Sequence, residues 1–150
     1  MDNSINQNKA KQDTYAILIS KLNKAIKNEF WFEACLIEYA IIEDRTSSIL
    51  DKARVCENAY SDSKLLGKKL NSIEYQIEKG HPIISKKVDL KLIQDIKKWK
   101  DERNDLVHRA CTMFDEEKAK NISVHGKELV RKLINDSAKV SRLAKKTYTE

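Results

Sequence analysis

Apolar residues recur at three- and four-residue steps along most of the chain, the period of a helix with one buried stripe. Tyr15, Leu18, Leu22 and Ile26 make the stripe of a first helix over about 13–27, and Asn28 reads as its break and as the cap of the next helix. The second helix, about 29–57, is apolar over much of its circumference. At roughly 100° per residue, Trp31, Phe32, Cys35, Tyr39, Ile42, Ile49 and Leu50 form a broad arc, and Glu29, Glu33, Asp44 and Asp51 a wet stripe. A helix apolar on so many sides is surrounded by others or lies at a subunit interface. Glu38 and Arg45 leave the wet stripe and share a face, flanked by Ile41 and Ile42. Polar groups at the edge of an apolar arc need partners. They read either as a structural ion pair or as supporting residues of a cleft.

Leu66, Leu70, Ile73 and Ile77 predict a third helix over about 63–78, ended by Gly80-His81-Pro82, with His81 an exposed loop residue. A fourth helix begins near 86–89 and runs to about 113, burying Leu92 or Ile93, Ile96, Trp99, Leu106 and Val107. Asp115 starts a short extra turn before Asn121. The last helix covers about 123–148, with Leu129, Leu133, Ala138 and Val140 or Leu143 inward and His125 on its solvated first turn. The first dozen residues are polar, so residues 1–12 are expected to form a flexible N-terminus and 13–150 one domain. The expected fold is all-α, an antiparallel four- to five-helix bundle.

Composition fits that reading. Three glycines and one proline in 150 residues are too few breakers for an all-β chain. The 41% apolar content is too high for disorder, and the chain is long enough to bury a core without disulfides. Cys35, Cys56 and Cys111 are odd in number and lack metal-ligand spacing. Cys35 and Cys56 lie in apolar patterns and read as small buried hydrophobes in a reducing compartment. No signal-peptide core and no membrane-length apolar run is visible, so a cytoplasmic protein is expected. Lys and Arg total 29 against 23 Asp and Glu. A net charge of +6 favours an anionic partner such as RNA without requiring one. Lys97 and Lys100, just before the most unusual stretch, and Arg109, within it, are the candidate RNA contacts.

That stretch is DERNDLVHRA, residues 101–110. Asn104 and His108 are four apart and lie above one another on a helix. Arg103 is one position to the side and long enough to reach the same spot. An imidazole, a permanent cation and an amide are thus presented together. No Ser or Cys nucleophile is paired with His108 at a defined spacing, and no carboxylate pair is placed to hold Mg²⁺. Cleavage of RNA by its own 2′-hydroxyl fits this set. His108 would move a proton, Arg103 would grip the phosphate, and Asn104 would hydrogen-bond the imidazole or a phosphate oxygen. One helix offers one His, whereas this reaction benefits from a base and an acid. A two-fold homodimer would place two copies of the motif across one cleft.

Arg103-Asn104-Asp105-Leu106-Val107-His108 resembles the R-x4–6-H motif of the HEPN-domain family, with a polar residue directly after the Arg. Its position late in the penultimate long helix is similar too. Only these six residues are specific; elsewhere the resemblance is in helical outline. It implies a metal-independent endoribonuclease active at a dimer interface, without cofactor, with Arg103 and His108 catalytic and Asn104 supporting. Such proteins often act as toxins of toxin–antitoxin pairs or in defence against phage, so a cognate antitoxin protein is an implied partner. Some members have lost activity. The alternative is an inactive bundle of the same kind that binds RNA or a protein.

Overall fold

The computed structural model describes residues 2–55 and 65–149, and the regular structure among them is all helix, with no strand. Six helices are present among the described residues: α1 (Asp2–Lys27), α2 (Trp31–Lys52), α3 (Leu66–Lys79), α4 (Ile84–Lys87), α5 (Leu90–His108) and α6 (Glu116–Tyr148). The all-α expectation holds. None of these helices is long and apolar enough to cross a membrane.

The long apolar helix is central, as its wide arc requires. α2 packs against α1, α3 and, most extensively, α6. α5 lies against α6 and α3, and short α4 fills the space between α3 and α6. The core gathers Ile41, Ile42, Ile49 and Leu50 of α2, Leu70 and Ile73 of α3, Ile93, Ile96 and Trp99 of α5, and Leu129, Leu133 and Val140 of α6. Burying each large aliphatic side chain contributes about 1.5–3 kcal/mol. The indole of Trp99 is fully buried, and its Nε1–H donates to Ile122 O at 2.9 Å, so burial leaves no orphan donor.

Three helices end the same way. After α3, Gly80 takes φ 82°, its N–H donates to Ile77 O, and the His81 N–H donates to Gln76 O. This pair of bonds satisfies the last carbonyls. Glu29 (φ 60°) and Arg54 (φ 56°) make the equivalent turns after α1 and α2 without being glycine. Asn28 closes α1, its amide donating to Lys24 O, and does not cap α2, whose N-cap position is Phe30 and carries no side-chain cap bond.

Several expected boundaries move. α1 begins at Asp2 rather than near residue 13, and no apolar stripe marks that extension. The third helix starts at Leu66; residue 63 and Cys56 lie outside the described residues. His81 is half-buried rather than an exposed loop residue, and its Nδ1 accepts from the N–H groups of Ile83 and Ile84 at 3.1 and 3.3 Å. It therefore organises the entry to α4, which the sequence did not suggest. α5 stops at His108, short of residue 113. The expected break at Asn121 is absent. Asp115 accepts from the Lys118 N–H at 3.1 Å and starts one helix of 33 residues, with Glu116 and Glu117 at its positive end. From that start the buried phase runs Ala119, Ile122, Gly126, Leu129, Leu133, Ser137, Val140, Ala144. Ala138 falls off this phase and is exposed, and His125 sits in the third turn, also exposed.

Candidate active site

The motif occupies the last turn and a half of α5, anchored to the core by buried Leu106. Arg103 lies against α2. Its guanidinium carbon is 4.1 Å from the centroid of the Tyr39 ring, and Nη1 donates to Asn104 Oδ1 at 3.0 Å. Nε is buried without a hydrogen-bond partner, and among the described residues Arg103 forms no ion pair. Burial pulls its basicity below the ordinary arginine value, opposed by Tyr39 and Cys35. A stacked, desolvated guanidinium gains more from an aromatic face than one in water. The cation is fixed by an aromatic face and an amide, with no carboxylate to neutralise it.

Asn104 thus orients Arg103 rather than His108. His108 is the exposed last residue of α5. Five residues advance a helix by about 500°, so His108 leaves α5 about 140° around from Arg103. Within the chain the guanidinium lies over α2 while the imidazole faces outward. Asp105 accepts from Arg109 Nε at 3.0 Å and from Lys118 Nζ at 3.2 Å, which ties the motif turn to the start of α6. The Lys118 hydrogen bond, then Arg109, holds its carboxyl below the usual range.

The candidate RNA contacts are engaged elsewhere. Lys97 pairs with Glu74 at 3.0 Å, Lys100 with Asp101 at 3.3 Å, and Arg109 with Asp105. Lys100 is also drawn inward over Gly67, where a Cβ would stand 3.0 Å from its Nζ. Beside the C-terminal end of α5 lies an open hollow of about 400 Å³, floored by Phe30, Trp31, Phe32 and Phe114 and rimmed by Glu29, Glu33 and Glu116. Phe32 and Phe114 meet edge to face, 5.8 Å between centroids, while Phe30, Met113 and Phe114 are exposed.

Glu38 and Arg45 do not pair. Arg45 binds the neighbouring Asp44, with Nη2 at 2.6 Å from Oδ2, and its guanidinium stacks over Tyr15 at 4.9 Å. Their seven-residue spacing gives a shared face, but the helix delivers Glu38 inward toward α6 and Arg45 toward α1. Glu38 is fully buried, and neither carboxyl oxygen has a hydrogen-bond partner among the described residues. It abuts Gly126, where an added Cβ would stand 2.8 Å from both Glu38 Cδ and Trp99 Nε1. Burial pushes the Glu38 carboxyl up to about 9, against a smaller opposing pull from Lys127. Cys35, one turn earlier, is buried with its thiol directed at Ala119 O, 3.7 Å away. Burial and then Glu38 push it up to about 12, so it stays a neutral thiol. This fits the small-hydrophobe reading of Cys35; Cys111 is exposed.

Tyr39 is the residue of the candidate site that sequence reasoning missed. It reads as part of the apolar arc of α2, and only the approach of α5 to that arc turns its ring into a seat for Arg103. Among the described residues no three His, Cys, Asp or Glu side chains cluster in a way that could hold a metal ion. No protein-family model, curated protein or solved structure matches the chain.

Proposed function

We propose that this chain is a metal-independent endoribonuclease of HEPN type, an antiparallel helical bundle acting as a cytoplasmic homodimer. The observation that carries the reading is the state of Arg103: stacked on Tyr39, held by Asn104, and left without a carboxylate. Such a cation is prepared for an anion brought by a ligand, and a phosphodiester is an anion that an imidazole such as that of His108 can act on.

In the proposed reaction the 2′-hydroxyl gives its proton to one imidazole, and its oxygen attacks the adjacent phosphorus. The bond from phosphorus to the 5′-oxygen breaks, and that oxygen takes a proton from a second imidazole. The products end in a 2′,3′-cyclic phosphate and a 5′-hydroxyl. Arg103 offers its remaining N–H groups to the non-bridging oxygens as negative charge grows on them. His108 faces outward from its own protomer, which supports a site completed across a two-fold axis by two copies of the motif. The exposed apolar surface of Phe30, Met113 and Phe114 beside α5 supports the same pairing, since its acidic rim suits protein better than RNA backbone. A role as a toxin restrained by an antitoxin, or in defence against phage, follows from the same reading.

The test is cleavage of labelled RNA by the purified protein. His108→Ala and Arg103→Ala should each abolish cleavage while leaving the helical circular dichroism intact, and EDTA should change nothing. Loss of activity in EDTA, or equal cleavage of DNA, would overturn the mechanism. RNA binding without cleavage, unchanged in both variants, would leave the binding-only alternative.

A further inference from the structure

Residues Lys139, Arg142, Leu143 and Lys146 stand at i, i+3, i+4 and i+7 on α6 and so share one face. Lys87, the last residue of α4, faces them across a cleft of about 160 Å³ lined by these five side chains. Four of the five are cations and the fifth is apolar. None of the four is in an ion pair among the described residues, unlike Lys97, Lys100 and Arg109. Asp136, the carboxylate on which Lys139 acts, lies outside the cleft lining and accepts the Asp89 backbone N–H at 3.2 Å.

The negative end of α6 accounts for a cation in its last turn, such as Lys146. It does not account for Arg142 and Lys139, which stand six and nine residues before Tyr148, because the end effect fades within one turn. Like charges at i+3 and i+4 repel one another, and Lys87 adds a fourth from a second element. This arrangement is unfavourable in the free protein and is relieved by an anion in the cleft.

We infer that the α4–α6 cleft, formed by Lys87, Lys139, Arg142 and Lys146, binds the phosphate backbone of RNA at a distance from the motif. This rests on the reading of RNA as substrate, and it adds a second site to it. Lys118, tied to Asp105 beside the motif, and Arg142 are 24 residues apart on α6. At about 1.5 Å per residue that is about 36 Å. A stacked strand advancing about 3.4 Å per nucleotide needs about eleven nucleotides to touch both. The cleft therefore favours long RNA and holds it while the motif acts elsewhere along it.

The experiment measures binding of a labelled single-stranded RNA of about thirty nucleotides across a salt series, in the His108→Ala background so that cleavage does not intervene. The triple variant Lys139→Gln, Arg142→Gln, Lys146→Gln is compared with Lys21→Gln, Lys24→Gln, Lys27→Gln, an equal charge change on exposed positions of α1. Each phosphate that the protein no longer neutralises lowers the slope of log affinity against log salt by about 0.7 on a single strand. The cleft triple should lower it by about two and weaken binding at least tenfold at low salt; the α1 triple should leave the slope unchanged. A four-nucleotide RNA and inorganic phosphate, offered as competitors, should displace the long RNA poorly. Equal weakening by both triples, no weakening by the cleft triple, or full displacement by inorganic phosphate would each overturn the inference. Cleavage by the protein with His108 intact is scored separately, so failure of the catalytic reading and failure of this site are distinguishable.

Discussion

Replacing Glu38 by Gln should flatten a pH dependence that the fold imposes on its own stability. The carboxyl is buried between α2 and α6, against Gly126, with no partner for either oxygen among the described residues. Its ordinary value of 4.5 rises to about 9 in the folded chain. The folded state therefore keeps a proton that the unfolded state releases between those two values. Stability is greatest below about pH 4.5 as far as this group is concerned, and falls as pH rises toward 9. The slope in that window is about 1.4 kcal/mol per pH unit, or about 4 kcal/mol over three units. Gln keeps the shape and the hydrogen-bonding ends of the protonated acid but cannot ionise. Urea unfolding followed by helical circular dichroism, on both proteins at about pH 5.5, 7 and 8.5, isolates the effect, because every other titrating group cancels in the difference. The Gln variant should gain on the wild type at each step and be several kcal/mol the more stable at the highest pH. Parallel stability curves for the two proteins would refute the argument, since they would mean that Glu38 is solvated or paired when folded.

Other substitutions probe the remaining links. Tyr39→Phe keeps an aromatic face under Arg103 and should retain RNA cleavage, whereas Tyr39→Leu removes a stack worth about 0.5–2 kcal/mol and should lower kcat more than it raises KM. Gly126→Ala should lower the urea midpoint, because overpacking against Glu38 and Trp99 costs about 1–3 kcal/mol and outweighs the better helix propensity of alanine. Glu29→Gly should raise thermal stability by about 0.5–1 kcal/mol: a left-handed residue costs about 1–2 kcal/mol, of which glycine's backbone entropy returns about 0.5–1. His81→Ala leaves the N–H groups of Ile83 and Ile84 without their acceptor and should cost about 0.5–2 kcal/mol, read by the same unfolding assay.

The stripes of α2, α3 and α5 were legible because periodic burial is written into each helix locally. The ends were not. Gly80 announces its left-handed turn, but Glu29 and Arg54 adopt the same turn with residues that carry no such signal. The start of α1 has no apolar stripe to betray it. In α6 the Asp-initiated turn before Asn121 reads as a separate piece, whereas the buried pattern continues from Ala119 through Ile122 and Gly126 in one helix. The motif was visible as spacing, but its place in the last turns of α5 was not, because the sequence pattern carries that helix on to about 113 while it stops at His108. What spacing could not supply was the neighbour: no feature of residues 101–110 points to Tyr39, which is 64 positions earlier than Arg103. Lysine identity was equally uninformative, since Lys97 and Lys139 look alike in sequence while only Lys97 has a carboxylate within ion-pair distance.

Glu38 and Tyr39 are consecutive, and their opposed surroundings explain how one helix serves both fold and site. A single step of about 100° turns Glu38 into the seam with α6 and Tyr39 toward the guanidinium on α5. Gly126 is what lets that seam close, because a side chain there would stand against both Glu38 and Trp99. Trp99 lies one turn before Arg103 on α5, and its bond to Ile122 fixes α5 to α6 at that level. The distance from the Tyr39 ring to Arg103 is therefore set by a closed circuit, α2 to α6 through Glu38 and Gly126, α6 to α5 through Ile122 and Trp99, and α5 back to α2 through Arg103. A change at any of the three joints reaches the other two through the helices that connect them, which is why a buried glycine with no chemistry of its own bears on the placement of Arg103.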